Sequence, residues 1–125
     1  MYDDFPDIEE IHQMLDEIAE EIPQEFFEGL NEGIVLLPRY KLHPESRSSD
    51  RLYIMGEYRR SITGRNIAIY YGSFERVHYG ITKEKLRQLL KDTLLHEFTH
   101  RLESLAGERG LEIKDAEKLR RYRKR

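Results

Sequence analysis

Cysteine is absent from the chain. That excludes disulfides and every thiolate metal site, so a transition metal held here needs histidine and carboxylate ligands. It also fits a reducing compartment. Long apolar runs are missing too. The longest uninterrupted aliphatic stretch is Ile34–Leu37, far short of the ~20 residues that span a bilayer. The opening MYDDFPDIEE has neither the basic cluster nor the apolar core of a secretory signal. These absences lead us to expect a cytoplasmic protein with no membrane partner. Neither an internal repeat nor a low-complexity linker breaks the 125 residues. That length suits one domain, residues 1–125, around a single core.

Lys and Arg are absent from residues 1–32, which carry twelve Asp and Glu. Residues 33–125 carry twenty-one Lys and Arg against twelve Asp and Glu, a balance of +9. We expect the acidic segment to fold back onto the basic body, the alternative being an acidic arm for a partner or for regulation.

Apolar spacing organises the rest. Ile8, Ile11, Met14, Leu15, Ile18 and Ile22 recur at helical intervals and predict an amphipathic helix over residues 7–21. Pro23 opens a second, short helix that brings Phe26, Phe27 and Leu30 to the core. Residues 33–38 (GIVLLP) read as a buried strand, and residues 39–51 as a loop. Residues 52–58 (LYIMGEY) and 65–74 (RNIAIYYGSF) read as two strands joined through a turn at Gly64. Thr82 caps a long helix whose apolar positions are Leu86, Leu89, Leu90, Leu94, Phe98, Leu102 and Leu105. It should stop near Gly107, and a last helix should cover residues 113–122. The order predicts an α+β domain, a small mixed sheet packed on helices.

The long helix carries HEFTH at residues 96–100, an H-E-x-x-H pattern. Positions four apart on a helix lie about 40° from one another and one turn apart along the axis. The imidazoles of His96 and His100 can therefore share one zinc ion. Glu97 is rotated off that pair, close enough to take a proton from water activated by the zinc. A catalytic zinc takes three protein ligands plus water. Without cysteine or a spare nearby histidine, a carboxylate must be the third. Asp115, beyond the chain reversal at Gly107 and Gly110, is our assignment. Glu103 lies on the motif's own helical face and is the rival, better suited to steadying an imidazole. Glu108 and Glu112 are weaker candidates.

The stretch LLHEFTHRLESLAGERG, with the strand IAIYYGSF and the lead-in IPQEFFEGLNEGIVLLP, resembles the small bacterial zincin-like metallopeptidases. The likeness runs from about Ile22 to Leu119. It implies a minimal α+β zincin fold with the motif on the active-site helix, zinc at His96 and His100, and Glu97 as catalytic base. It also favours an acidic residue after the motif, such as Asp115, as the third ligand. The chain departs from many small zincins in having Glu103 three residues after the second motif histidine, where they have glycine.

The function expected is thus zinc-dependent hydrolysis of peptide bonds, in a peptide or an unfolded protein. The alternative is a non-catalytic zinc-binding or metal-free interaction module on the same fold. Residues 67–72 are expected to form a sheet edge beside the zinc, where an extended peptide could add as another strand. His12 and His43 read as solvated, and Tyr70 and Tyr71 as strand packing. His78 and Tyr79 precede the motif helix, where a substrate would pass, but packing explains them better. The tail RRYRKR reads as a solvated helix end, so nucleic acid is not expected as a partner.

Overall fold

The computed structural model describes residues 5–109, the last five of these as helix backbone only, together with residues 121–122. Helix α1 spans Ile8–Glu21. Asp7 caps it, accepting the Glu10 amide at 2.9 Å, while the Glu10 carboxylate accepts the Asp7 amide at 3.3 Å. Each side chain thus satisfies an amide the helix start would leave open. A 3₁₀ turn follows at Gln24–Phe27, led by Pro23, and buries Phe26. Strands β1 (Ile34–Leu37), β2 (Gly56–Arg60) and β3 (Arg65–Tyr70) form one mixed sheet in the order β1-β3-β2. β1 pairs with β3 in parallel and β2 pairs with it antiparallel. Helix α2 (Tyr71–His78) follows β3 directly, and α3 runs from Lys83 to Arg109.

The expected α+β architecture, a small mixed sheet on helices, is what the chain adopts. α1 and α3 enclose the core with one face of the sheet. Ile11, Leu15 and Ile18 meet Leu86, Leu90, Leu94 and Phe98 there, over Ile67 and Ile69 of β3. The acidic first helix folds onto the basic part of α3. Lys83 reaches Glu10 at 2.9 Å, Arg87 reaches Glu17 at 2.9 Å and Glu21 at 2.7 Å, and Lys91 reaches Glu21 at 3.2 Å. The pairs advance together along both helices.

Three expectations need correction. Residues 71–74 are the start of α2 and not strand. Tyr70, at the helix start, gives no side-chain cap. Instead the Gly72 amide donates to the Arg39 carbonyl at 3.2 Å, from the segment after β1. A Cβ on Gly72 would lie 2.6 Å from the Tyr40 nitrogen, so glycine lets that segment close over the helix start. Second, the strand expected at 52–58 begins only at Gly56, Tyr53 making an isolated bridge to Leu42. Third, β3 is the central strand, paired on both sides. It offers no edge to a peptide, and the docking surface expected at residues 67–72 is excluded. The strand next to the motif is β2, whose Tyr58 reaches it.

Among the described residues, no helix is long and apolar enough to cross a membrane. Tyr122, near the chain end, rests on α1. Its hydroxyl donates to the Glu21 carbonyl at 2.8 Å, and its ring meets Phe26 edge-on at 6.4 Å. The final helix expected over residues 113–122 lies outside the described residues except for its last two.

Candidate metal centre

α3 starts where Thr82 accepts the Lys85 amide on its hydroxyl at 3.2 Å. From there the helix presents three different faces. Leu86, Leu90, Leu94 and Phe98 are fully enclosed in the core, with Leu95 beside them. Within HEFTH, Phe98 packs edge-on against Phe27 at 4.9 Å, and the buried Thr99 hydroxyl donates to the Leu95 carbonyl at 2.8 Å. Those two inward positions fix the rotation of the helix and turn His96 and His100 to the open face. Glu97 falls on the seam between helix and sheet.

The two imidazoles point at one spot, their Nε2 atoms 2.9 Å apart and their rings nearly perpendicular. Two nitrogens each ~2.0–2.1 Å from one zinc ion, at angles of about 90–110°, lie about 2.9–3.4 Å apart. The pair's 2.9 Å separation falls at the short end of that range. A carboxylate oxygen of Glu97 joins them, the three ligand-type atoms lying within 4.8 Å of one another. Glu103 is exposed and falls outside this group. Asp115 and Glu112 lie outside the described residues, as does the side chain of Glu108.

Glu97 is only 9% exposed, although both histidines are open to solvent. The Tyr58 amide of β2 donates to its Oε1 at 3.0 Å. Burial raises the Glu97 pKa above the ordinary 4.5, and the charge of Glu57 adds to this. His100 and the Tyr58 amide pull the other way without cancelling it. The carboxyl is thus held in place and made more basic than a surface glutamate.

Beside His96 and Glu97 runs a groove of about 420 Å³, walled by Ile54, Met55 and Gly56 and by Leu89, Asp92 and Thr93. A Cβ on Gly56 would lie 2.9 Å from the Thr93 methyl, so glycine brings β2 and α3 together at its floor. Asp92 sits one turn before His96 and accepts from Gln88 at 2.8 Å.

The other candidates lie apart from this group. His12 is exposed, 3.5 Å from Asp16, and the exposed His43 accepts the Glu45 amide at 3.0 Å. His78 ends α2 and packs near the Phe74 ring, where burial lowers its pKa. Tyr70 is buried and donates to Glu57 at 2.5 Å. Tyr71 donates to the Pro6 carbonyl at 2.7 Å. Two parts of the site went unread in the sequence. Asp92 had a signal, its four-residue spacing from His96. The Tyr58 amide had none, because a main-chain donor is positioned by the fold and not by residue type.

A long helix bearing a His–Glu–His donor group, laid against a three-stranded mixed sheet, defines a small α+β protein with a candidate metal centre. No family model matches the chain, and no curated protein matches it. A solved structure that does is that of a conserved hypothetical protein, TTHA0227, from "Thermo thermophilus". It is 33% identical with a TM-score of 0.68, over 82% of this chain and 99% of that one. The chain belongs to the family of that conserved hypothetical protein.

Proposed function

We propose that the protein is a cytoplasmic zinc-dependent hydrolase of the peptidase class. His96 and His100 hold the metal, Asp115 completes its ligand set, and a peptide or unfolded protein is the substrate. The observation that carries this reading is the convergence of two solvent-open imidazole nitrogens 2.9 Å apart with the buried Glu97 carboxylate. Zinc bound there supplies Lewis acidity to a substrate carbonyl and to water. Glu97 then acts as the general base. Its Oε1 is tied to the Tyr58 amide, which leaves the other carboxylate oxygen to accept the proton. The groove beside His96 holds the chain to be cut, with Met55 and Leu89 as apolar walls. Tyr58 spends its edge amide on Glu97, so a peptide lying along β2 must bond elsewhere.

One observation favours a rival reading, a metal-free module on the same fold. A separation of 2.9 Å is also a hydrogen-bond distance between two neutral imidazoles. Elemental analysis of untagged protein separates the two. About one zinc per chain is expected, falling to background in His96→Ala with His100→Ala. Full retention of zinc in the double variant would remove the site. Chelator-sensitive cleavage of an unfolded protein is the matching activity readout.

A further inference from the structure

One stripe of α3 lines the groove beside His96. Leu89, Asp92, Thr93, His96 and Glu97 follow one another at helical spacing, so they share a face of the helix. Their polar atoms are differently engaged. The Thr93 hydroxyl donates to the Leu89 carbonyl at 2.8 Å, and its methyl lies toward Gly56. Thr93 therefore adds an apolar surface to those of Leu89, Ile54 and Met55, all of them half-buried. His96 meets His100 at 2.9 Å, and the Tyr58 amide holds Glu97. Asp92 is left as the lining charge with no part in the proposed chemistry. It is exposed, and its Oδ1 accepts the Gln88 side-chain amide at 2.8 Å. A neutral amide does not offset the charge, and a carboxylate can accept several donors. Among the described residues that line the groove, none is lysine or arginine.

Position decides what Asp92 can reach. Residues four apart on a helix have Cβ atoms ~5–6 Å apart. Asp92 precedes His96 by four, so its carboxylate lies about one turn from the metal ligand, along the groove. Neighbouring Cα atoms of a substrate chain are ~3.8 Å apart. A residue flanking a carbonyl held at the metal can therefore place its side chain in the groove. Apolar walls that end on one carboxylate match a lysine or arginine. The methylene stem covers the walls, and the charged head meets Asp92 at the open end. A glutamate there would set like charges together, and an aliphatic side chain would leave the carboxylate without a partner.

We propose that Asp92 is a specificity-determining residue, and that the groove takes a lysine or arginine side chain next to the bond that is cut. This rests on the hydrolase reading of the same site and names its substrate class, peptides with a basic residue flanking the scissile bond. The cation is a side chain and not a free amino terminus, because a terminal amine carries no stem to cover Leu89, Ile54 and Met55.

The test uses the full chain loaded with zinc and an unfolded, alkylated protein as substrate. Mass spectrometry of the products should find lysine or arginine at one position flanking the cut. The enrichment over leucine should be on the order of tenfold, the scale of one charge-assisted hydrogen bond. Asp92→Asn should remove it, and Asp92→Lys should shift it to aspartate and glutamate. Cuts without enrichment, cuts confined to the first residue, or the same enrichment in all three proteins would overturn the proposal. Binding decides the matter where nothing is cut. Fluorescence anisotropy compares labelled, end-blocked hexapeptides that differ only in one lysine, norleucine or glutamate. Lysine should bind on the order of tenfold tighter than norleucine, and Asp92→Asn should level the two. Equal affinities in wild type, or no binding, refute the groove's preference. That preference without any cleavage supports the proposal and removes the hydrolase reading alone.

Discussion

Glu97 combines burial with a fixed hydrogen bond, and the two have separable consequences. The Tyr58 amide needs an acceptor at Oε1, and a glutamine oxygen can take that role. Glu97→Gln should therefore keep the fold and the zinc, since neither depends on the carboxylate charge. Hydrolysis should fall by a factor of ~10² or more, the scale of a lost general base. Metal content and cleavage rate of the same preparation are the measurements, and a rate equal to wild type would remove Glu97 from the mechanism. The third ligand is tested at this scale as well. Zinc affinity should drop in Asp115→Ala and stay near wild type in Glu103→Ala. Competition with a chromophoric chelator reads both, and the reverse order would put all ligands on α3.

Elements meet at positions where one methyl group matters. Gly72 lies against main chain, 2.6 Å from the Tyr40 nitrogen and 2.8 Å from the Arg39 carbonyl carbon to where a Cβ would stand. Backbone yields less readily than a side-chain tip. Gly72→Ala should thus destabilise by about 1–3 kcal/mol, as overpacking does, although alanine is the better helix former. Urea unfolding reads this directly. A neutral or stabilising result would mean that α2 does not dock on the segment after β1. Phe98 tests the opposite defect. It is fully buried against Phe27 within the motif itself. Phe98→Ala should cost about 3–5 kcal/mol by opening a cavity. Because this ring sets the rotation of α3, zinc affinity should fall with stability. Unchanged affinity would show that the histidines are oriented without it.

Charge acts over the whole molecule. The acidic α1 lies along the basic part of α3, and hydrogen bonds from Arg87 and Lys91 hold the Glu21 pKa below 4.5. Lys83 does the same for Glu10. A carboxyl whose pKa is lower in the folded state stabilises above its unfolded value, and that contribution is lost as pH falls through the folded one. The protein should therefore weaken on acidification below about pH 4.5. In Arg87→Ala stability near neutrality should fall modestly, as exposed pairs contribute little, and the acid loss should shrink by the same amount. Unfolding midpoints at about pH 6 and about pH 3.5 for both proteins give the comparison. Equal acid losses would show that the Arg87 pairs contribute nothing to holding α1 on α3.

Much of this was legible beforehand because it depends on period and residue type. Helical spacing placed α1 and α3, Thr82 marked the start of α3, and the four-residue interval of His96 and His100 aligned the two rings. Local rules suffice where neighbours in sequence are neighbours in space. The rest depended on contacts between distant segments. Arg65 to Phe74 reads as one aromatic, β-favouring run, yet it divides at Tyr70 because the Arg39 carbonyl, brought round by β1, accepts the Gly72 amide. The central place of β3 followed from β1 and β2 pairing on either side of it, and strand order leaves no trace in the hydrophobic pattern of one strand. The amide that holds Glu97 comes from Tyr58, thirty-nine residues away. Any residue but proline could supply that donor, so only the tertiary structure could select it.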